Sequence, residues 1–286
     1  MKKDPALDPV EDTRMPIMEH LADLRTRLIR AGIAAGIGVG IASAFSGYIF
    51  DFLVDPMRRA LAARGSTEGL TPAEQAQLTE SMNSLVITDP MEGVVTYLKV
   101  AVIAGLLLSS PFIFYQVWAF VAPGLYKNEK RTVIPLVMAS TLLFLTGASF
   151  GYFVIFEYGF AFFLSVLDFD TGAAISLNSY LGTATKLLGA FGFSFQLPVV
   201  VFFISRMGLI DHKDMIAFFR YAIVGVFVIS AVITPPDPLT QTLMAGPLLL
   251  LYCMSIGISF AFSTKVRGED GEPVPKEAKD EAFPKG

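Results

Sequence analysis

Long apolar stretches separated by short polar segments dominate the pattern of the chain. A helix that crosses a bilayer needs about 20 mostly apolar residues. Counting between ionisable residues gives six intervals of about that length or slightly shorter, at 31–50, 100–126, 132–156, 187–205, 221–236 and 238–264. None of them alternates polar and apolar residues as the strands of a membrane barrel do. The pattern therefore predicts six transmembrane helices.

The predicted spans extend beyond the charge-free intervals, because Lys and Glu side chains near the ends of a span can reach the interface. We place the spans at about 30–50, 94–122, 132–164, 180–205, 218–234 and 238–263. They form one membrane domain over residues 18–264. Residues 1–17 and 265–286 are polar and charged with little apolar content, so we predict that both ends are disordered and cytoplasmic.

The loop after the first span, about residues 51–93, is too long for a simple connector. Residues 51–63 have an amphipathic pattern, and Thr71 to Glu74 has the spacing of a capping box before a second short helix that ends near Leu85. We therefore predict an ordered outer cap. Prolines in or near four of the helices tend to kink them and favour a cupped, concave arrangement; they are Pro111, Pro135, Pro198 and Pro247.

Small residues at every fourth position indicate close helix packing. Gly32, Gly36 and Gly40 form such a row in the first span, and Gly147 with Gly151 forms another in the third. We interpret both rows as packing within the chain. The single cysteine, Cys253, is interpreted as a small core residue.

Composition agrees with a membrane protein and excludes other classes. Of 286 residues, 53% are hydrophobic and 17% are charged, and the mean hydropathy is +0.57. A soluble enzyme, a disordered chain and a coiled coil do not have these values. The net charge of −4 gives no reason to expect nucleic acid as a partner. One cysteine excludes a disulfide framework and a cysteine-based metal site.

The distribution of Lys and Arg predicts the orientation, since cytoplasmic loops carry the excess of positive charge. Eleven basic residues flank the spans on one side and three on the other. The larger group includes Arg25 to Arg30, Lys127 to Arg131 and Arg206 to Arg220, and the smaller one is Arg58, Arg59 and Arg64. Both termini are therefore predicted to be cytoplasmic.

The predicted membrane centre contains no ionisable residue, and its most polar bulky side chain is Gln196. This amide could bond to a partner helix or to backbone freed by Pro198, and the sequence leaves both open. A proton-coupled carrier and an intramembrane hydrolase both need ionisable groups there, so we predict no enzyme, no cofactor and no metal. The alternative is a small-solute carrier or channel, for which the centre offers too few polar groups.

The cytoplasmic segments carry two carboxylates among basic residues, Asp23 before the first span and Glu129 between the second and third. Taken alone, local salt bridges explain them. However, four segments resemble the TatC family, the multispanning receptors of the twin-arginine protein translocase. The matching residues lie at His20–Leu28, Ser110–Arg131, Phe191–Pro198 and Thr234–Thr242, and the resemblance covers about 18–262.

The resemblance implies a receptor in the bacterial inner membrane that binds signal peptides with paired arginines and drives export with the proton-motive force. Its binding residues map onto Asp23, Arg25, Phe120 and Glu129. The family often has Glu where Asp23 stands, and the aspartate side chain is one methylene shorter.

The resemblance also implies partners, which are single-span subunits of the TatA and TatB type and further copies of the chain within the translocase complex. The residues that would dock a partner helix map onto Gln196, Thr234 and Gln241. Pro56 maps onto a structural position of the outer loop. The family often has Glu at the position of Gln196, and glutamine cannot titrate.

Overall fold

A computed structural model describes residues 17–65, 90–121, 130–166, 176–233 and 238–262, and in these ranges the chain is helical. A π-helical turn, Gly151–Phe156, joins the fourth and fifth helices. The helices are α1 (Ile17–Ala44), α2 (Ser46–Gly65), α3 (Pro90–Val121), α4 (Lys130–Phe150), α5 (Glu157–Val166), α6 (Leu177–Ser194), α7 (Leu197–Arg206), α8 (His212–Ile233) and α9 (Pro238–Phe262).

Six helical segments are long and apolar enough to cross a membrane, which confirms the predicted all-helical fold with six spans. The third span joins α4 to α5 through the π-helical turn, and the fourth consists of α6 and α7. The segments are His20–Ala44, Met91–Val121, Val133–Phe162, Leu177–Arg206, His212–Ile233 and Gln241–Phe262.

The first span ends at Ala44, earlier than the sequence places it, and α2 begins two residues later. The whole amphipathic segment of the long loop, residues 51–63, therefore belongs to a separate 20-residue helix. The predicted second helix of this loop, near 71–85, and the two terminal segments, 1–16 and 263–286, lie outside the described residues.

The spans run antiparallel, so the molecule has two ends. At the leader end α1 begins, α3 ends and α7 is followed by α8; the cap end is the opposite one, where α2 lies. Contacts form an open row of helices, in which α1 packs on α3, α3 on α4 and α6, α7 on α9, and α9 on α8. The edge helices α1 and α8 are the least buried of the six spans.

Glycines lie at the closest contacts between helices. Of the two glycine rows predicted from the sequence, only the row in the third span makes such a contact. A Cβ on Gly38 would lie 2.5 Å from the carbonyl oxygen of Gly105, so α1 and α3 touch through their backbones. Gly147 and Gly151 pack against α6 in the same way, as predicted. The row Gly32, Gly36 and Gly40 meets no described atom within 4 Å, so its predicted packing within the chain is wrong.

Cys253 is exposed on α9, so its interpretation as a core residue is also wrong. An apolar residue of a membrane helix can face lipid at no cost, and the hydrophobic pattern of the sequence does not distinguish that from burial.

Proline breaks the fourth span. Pro198 has no N–H to continue the helical bonding, and α6 ends at Ser194 while α7 restarts at Leu197. Pro111, Pro135 and Pro247 lie inside α3, α4 and α9, which continue through them.

Candidate functional site at the leader end

Asp23 lies on the leader helix, which we define as residues 17–29 of α1, and pairs within it. Its Oδ2 accepts a bond of 2.7 Å from Nε of Arg27, one helical turn later. The Asp23 side chain retains 38% exposure. Arg25 is exposed and forms no ion pair with a described residue. The leader helix therefore presents one partly engaged carboxylate and one free guanidinium.

A ring stack ties the leader helix to the last turn of α3. The imidazole of His20 lies on the ring of Phe120 with centroids 4.4 Å apart and planes inclined by 18°. His20 is three residues before Asp23, so both side chains lie on one side of the helix. Glu129 lies outside the described residues, nine positions beyond Phe120. The structure thus brings together three predicted residues, Asp23, Arg25 and Phe120, at one end of the molecule.

One helical turn further into the membrane, a buried polar cluster joins α3, α4 and the break of the fourth span. The Trp118 indole N–H donates to the Ser140 hydroxyl at 2.7 Å. The Gln196 amide donates to the Ser140 carbonyl at 2.8 Å. This bond resolves the two alternatives for Gln196, which holds a neighbouring helix of its own chain. Gln116 is also buried on α3, and its Oε1 has no hydrogen-bond partner among the described residues.

Gln241, the second predicted docking residue, joins the last two spans. Its amide donates to the carbonyl of Phe227 at 2.9 Å, from α9 to α8. Thr234 lies outside the described residues. Gln196 and Gln241 stand on different pairs of helices, and the structure does not bring them together in one cluster.

Pro56 determines the hydrogen bonding at the cap end because it has no N–H to donate. It lies inside α2 and is buried. Because proline has no N–H, the carbonyl of Phe52, four residues earlier, loses its helical partner. The hydroxyl of Tyr152, on the π-helical turn, donates to this carbonyl.

The next pair of backbone groups binds a second tyrosine. The buried hydroxyl of Tyr180 donates to the Leu53 carbonyl and accepts from the Met57 amide, both at 3.1 Å. In a regular helix those two groups bond to each other. The two tyrosines hold the opened turn of α2 against the third and fourth spans.

The sequence does not predict the side chains that contact the predicted site residues. His20 stands in the matching segment His20–Leu28 without a predicted role, although its position three residues before Asp23 was a usable signal. A proline inside an amphipathic helix likewise signals an orphan carbonyl four residues earlier, which requires a donor such as Tyr152. Nothing distinguishes Ser140 from the other serines in apolar segments.

Comparisons with known proteins place these features in one family. The model of the family described as "Sec-independent protein translocase protein (TatC)" matches residues 19–247. The TatC protein of Desulforapulum autotrophicum is 41% identical over 262 residues, which cover 92% of this chain and 90% of that protein. The TatC protein of Aquifex aeolicus is 38% identical over 245 residues, with coverages of 85% and 93%.

Solved structures agree with the sequence comparison. A crystal structure described as the twin arginine translocase receptor TatC is 37% identical and superposes with a TM-score of 0.70, covering 84% of this chain and 97% of its own. A second, described as the same receptor in DDM, gives a TM-score of 0.71 and coverages of 84% and 99%.

Proposed function

The chain belongs to the TatC family of Sec-independent protein translocase proteins and is a multi-pass membrane subunit of the twin-arginine translocase; from this premise we propose that its leader end is the receptor surface for signal peptides with paired arginines. The main support for this proposal is the stack of His20 on Phe120. The stack joins the helix of Asp23 to the end of α3, after which the sequence continues to Glu129. The proposal involves no catalytic step.

The orientation follows from the charges at the two ends. Eight basic residues of the described ranges lie near the leader end, namely Arg25, Arg27, Arg30, Lys130, Arg131, Arg206, Lys213 and Arg220, whereas five lie towards the cap end, namely Arg58, Arg59, Arg64, Lys99 and Lys186. Positive charge is retained in the cytoplasm. The leader end is therefore cytoplasmic in the bacterial inner membrane, with both termini inside, and it faces newly made proteins.

Two carboxylates explain selection of arginine over lysine. A guanidinium offers a planar fork of N–H donors that a carboxylate accepts through two parallel bonds, whereas an ammonium is a point charge. Asp23 has one oxygen bonded to Arg27, so a peptide arginine competes with Arg27 for it. Glu129 supplies the second carboxylate from the loop that follows α3. Arg25 and Phe120 line the approach.

The same proposal includes partner subunits. Single-span proteins of the TatA and TatB type dock against α8 and α9 near Thr234 and Gln241, and further copies of the chain assemble in the translocase. Gln196 uses one of its two amide N–H groups within the chain. Its other N–H and its amide oxygen can bond to a partner helix, but the amide cannot take up a proton. Proton-driven movement therefore depends on groups outside the centre of this chain's membrane domain.

The test is direct binding of the purified full-length protein in detergent to a twin-arginine signal peptide and its twin-lysine variant. Asp23→Asn and Glu129→Gln should each weaken binding of the arginine peptide, and higher salt should weaken it further. Asp51→Asn is the matched control, because Asp51 is an exposed aspartate paired with an arginine, Arg58, at the opposite end. Equal binding of both peptides, or wild-type affinity in both carboxylate variants, would refute the proposed site.

A further inference from the structure

The close contact of α1 and α3 creates a groove along the outer face of the bundle. The floor is made of small residues, Ala34, Gly38 and Ser109, because the two backbones touch at Gly38. Larger side chains rise on both sides: Ile33, Ile37 and Ile41 one turn apart on α1, and Leu108 and Phe112 on α3. These five side chains are between 48% and 59% exposed. The groove is therefore open to the bilayer.

The groove is apolar along its length and charged at one end. The only hydroxyl of its floor, that of Ser109, donates to the carbonyl of Gly105 at 2.7 Å and requires no further partner. Arg30 lines the leader end of the groove. Its side chain is exposed and forms no ion pair or hydrogen bond with a described residue. A ligand with an anionic head and an apolar tail matches this distribution.

The dimensions of the groove indicate a thin occupant. Its volume is about 380 Å³. From Arg30 to Ile41 the helix rises roughly 16 Å, which gives a mean cross-section of roughly 25 Å². A helix with its side chains is about 10–12 Å across and has a cross-section of roughly 80–110 Å². A single hydrocarbon chain fits within a groove of this cross-section, whereas a partner helix would lie across its mouth.

We propose that this groove binds one anionic phospholipid, with an acyl chain between the isoleucine row of α1 and Leu108 and Phe112, and the phosphate on the Arg30 guanidinium. Arginine suits a phosphate because its N–H fork bonds two oxygens at once. A basic residue near an anionic leaflet contributes about a five-fold gain in lipid binding. This site is separate from the His20–Phe120 stack, because on the same two helices Arg30 follows His20 by ten residues and Phe112 precedes Phe120 by eight.

The experiment measures lipid binding to the purified full-length protein by native mass spectrometry. Phosphatidylglycerol and phosphatidylcholine with identical acyl chains are titrated separately. Arg30→Gln should reduce binding of phosphatidylglycerol about five-fold, to the level of phosphatidylcholine. Ala34→Leu fills the floor and should weaken both lipids to the same extent. Arg220→Gln, which removes an exposed cation elsewhere at the leader end, should leave both unchanged.

Two results would overturn the proposal. One is a preference for phosphatidylglycerol that persists in Arg30→Gln, which would mean that the charge is not part of a lipid site. The other is unchanged lipid binding in Ala34→Leu together with loss of a co-purifying single-span subunit, which would mean that the groove contacts a helix.

Discussion

Replacing Pro56 by alanine tests the reasoning about the cap end most directly, when it is combined with Tyr152→Phe. The structure has the Tyr152 hydroxyl donating to the carbonyl that Pro56 leaves without a helical partner. Alanine restores the N–H, so the Phe52 carbonyl regains its bond within α2. The energetic value of the tyrosine hydroxyl should therefore depend on which residue occupies position 56.

The loss of stability on Tyr152→Phe depends on whether the Phe52 carbonyl still has a hydrogen-bond donor. With Pro56 present, Tyr152→Phe removes a hydrogen bond and leaves a partly buried acceptor unsatisfied, which costs about 1–2 kcal/mol. With alanine at position 56 the acceptor remains paired, and the cost should fall below about 0.5 kcal/mol. The coupling free energy between the two positions is then about 1 kcal/mol, within the range measured for side-chain hydrogen bonds in membranes.

The assay is reversible unfolding of the four proteins of the double-mutant cycle in mixed micelles, followed by far-ultraviolet circular dichroism. Tyr158→Phe provides the matched control, since Tyr158 is 66% exposed on the neighbouring α5, and its effect should be additive with that of Pro56→Ala. An equal cost of Tyr152→Phe in both backgrounds would refute the link between the proline and the tyrosine.

Three further predictions concern the leader end. Arg27→Gln should raise the affinity for a twin-arginine peptide about two- to five-fold in a binding titration, because it frees the Asp23 carboxylate from a partly buried ion pair; a lower affinity would mean that Arg27 orients the carboxylate instead. His20→Leu should weaken peptide binding while His20→Phe, which keeps a flat ring, stays near wild type; equal loss in both would exclude stacking as the cause. Ser140→Ala should lower the unfolding free energy by about 1–2 kcal/mol and shift the fluorescence of Trp118, the single tryptophan, since the buried indole N–H loses its acceptor; unchanged emission would contradict the bond.

The sequence predicted the parts of this fold that depend on total apolar content. Six spans follow from the spacing of charged residues, because the bilayer sets the minimum length of a helix for every membrane protein alike. The ends of the helices depend on local geometry instead. The first span stops at Ala44, just before Ser46 and Gly47, and counting charged residues does not detect that break.

The sequence predicts candidate residues but not the contacts between them. The family resemblance identifies Asp23 and Phe120, whereas the stack that joins their helices depends on how α1 and α3 align in three dimensions. The open glycine row on α1 shows the same limit. Small residues indicate that another helix can approach that face closely, but they do not determine whether a helix of the same chain does so.

The hydrogen bonds inside the spans indicate which steps of translocation this chain supports and which steps need other subunits. Three polar side chains donate to a backbone carbonyl of another helix: Gln196 to Ser140, and, from α9 to α8, Gln241 to Phe227 and Tyr252 to Met215. A carbonyl partner fixes the distance between two helices and cannot change its charge. In the described parts of the spans, the carboxylates lie near the ends, with Asp23 and Asp214 at the leader end and Glu92 and Glu157 at the cap end. In the described spans these contacts between helices therefore carry no charge, and we expect a step that moves a proton to use groups near the ends of the molecule or in the proposed partner subunits.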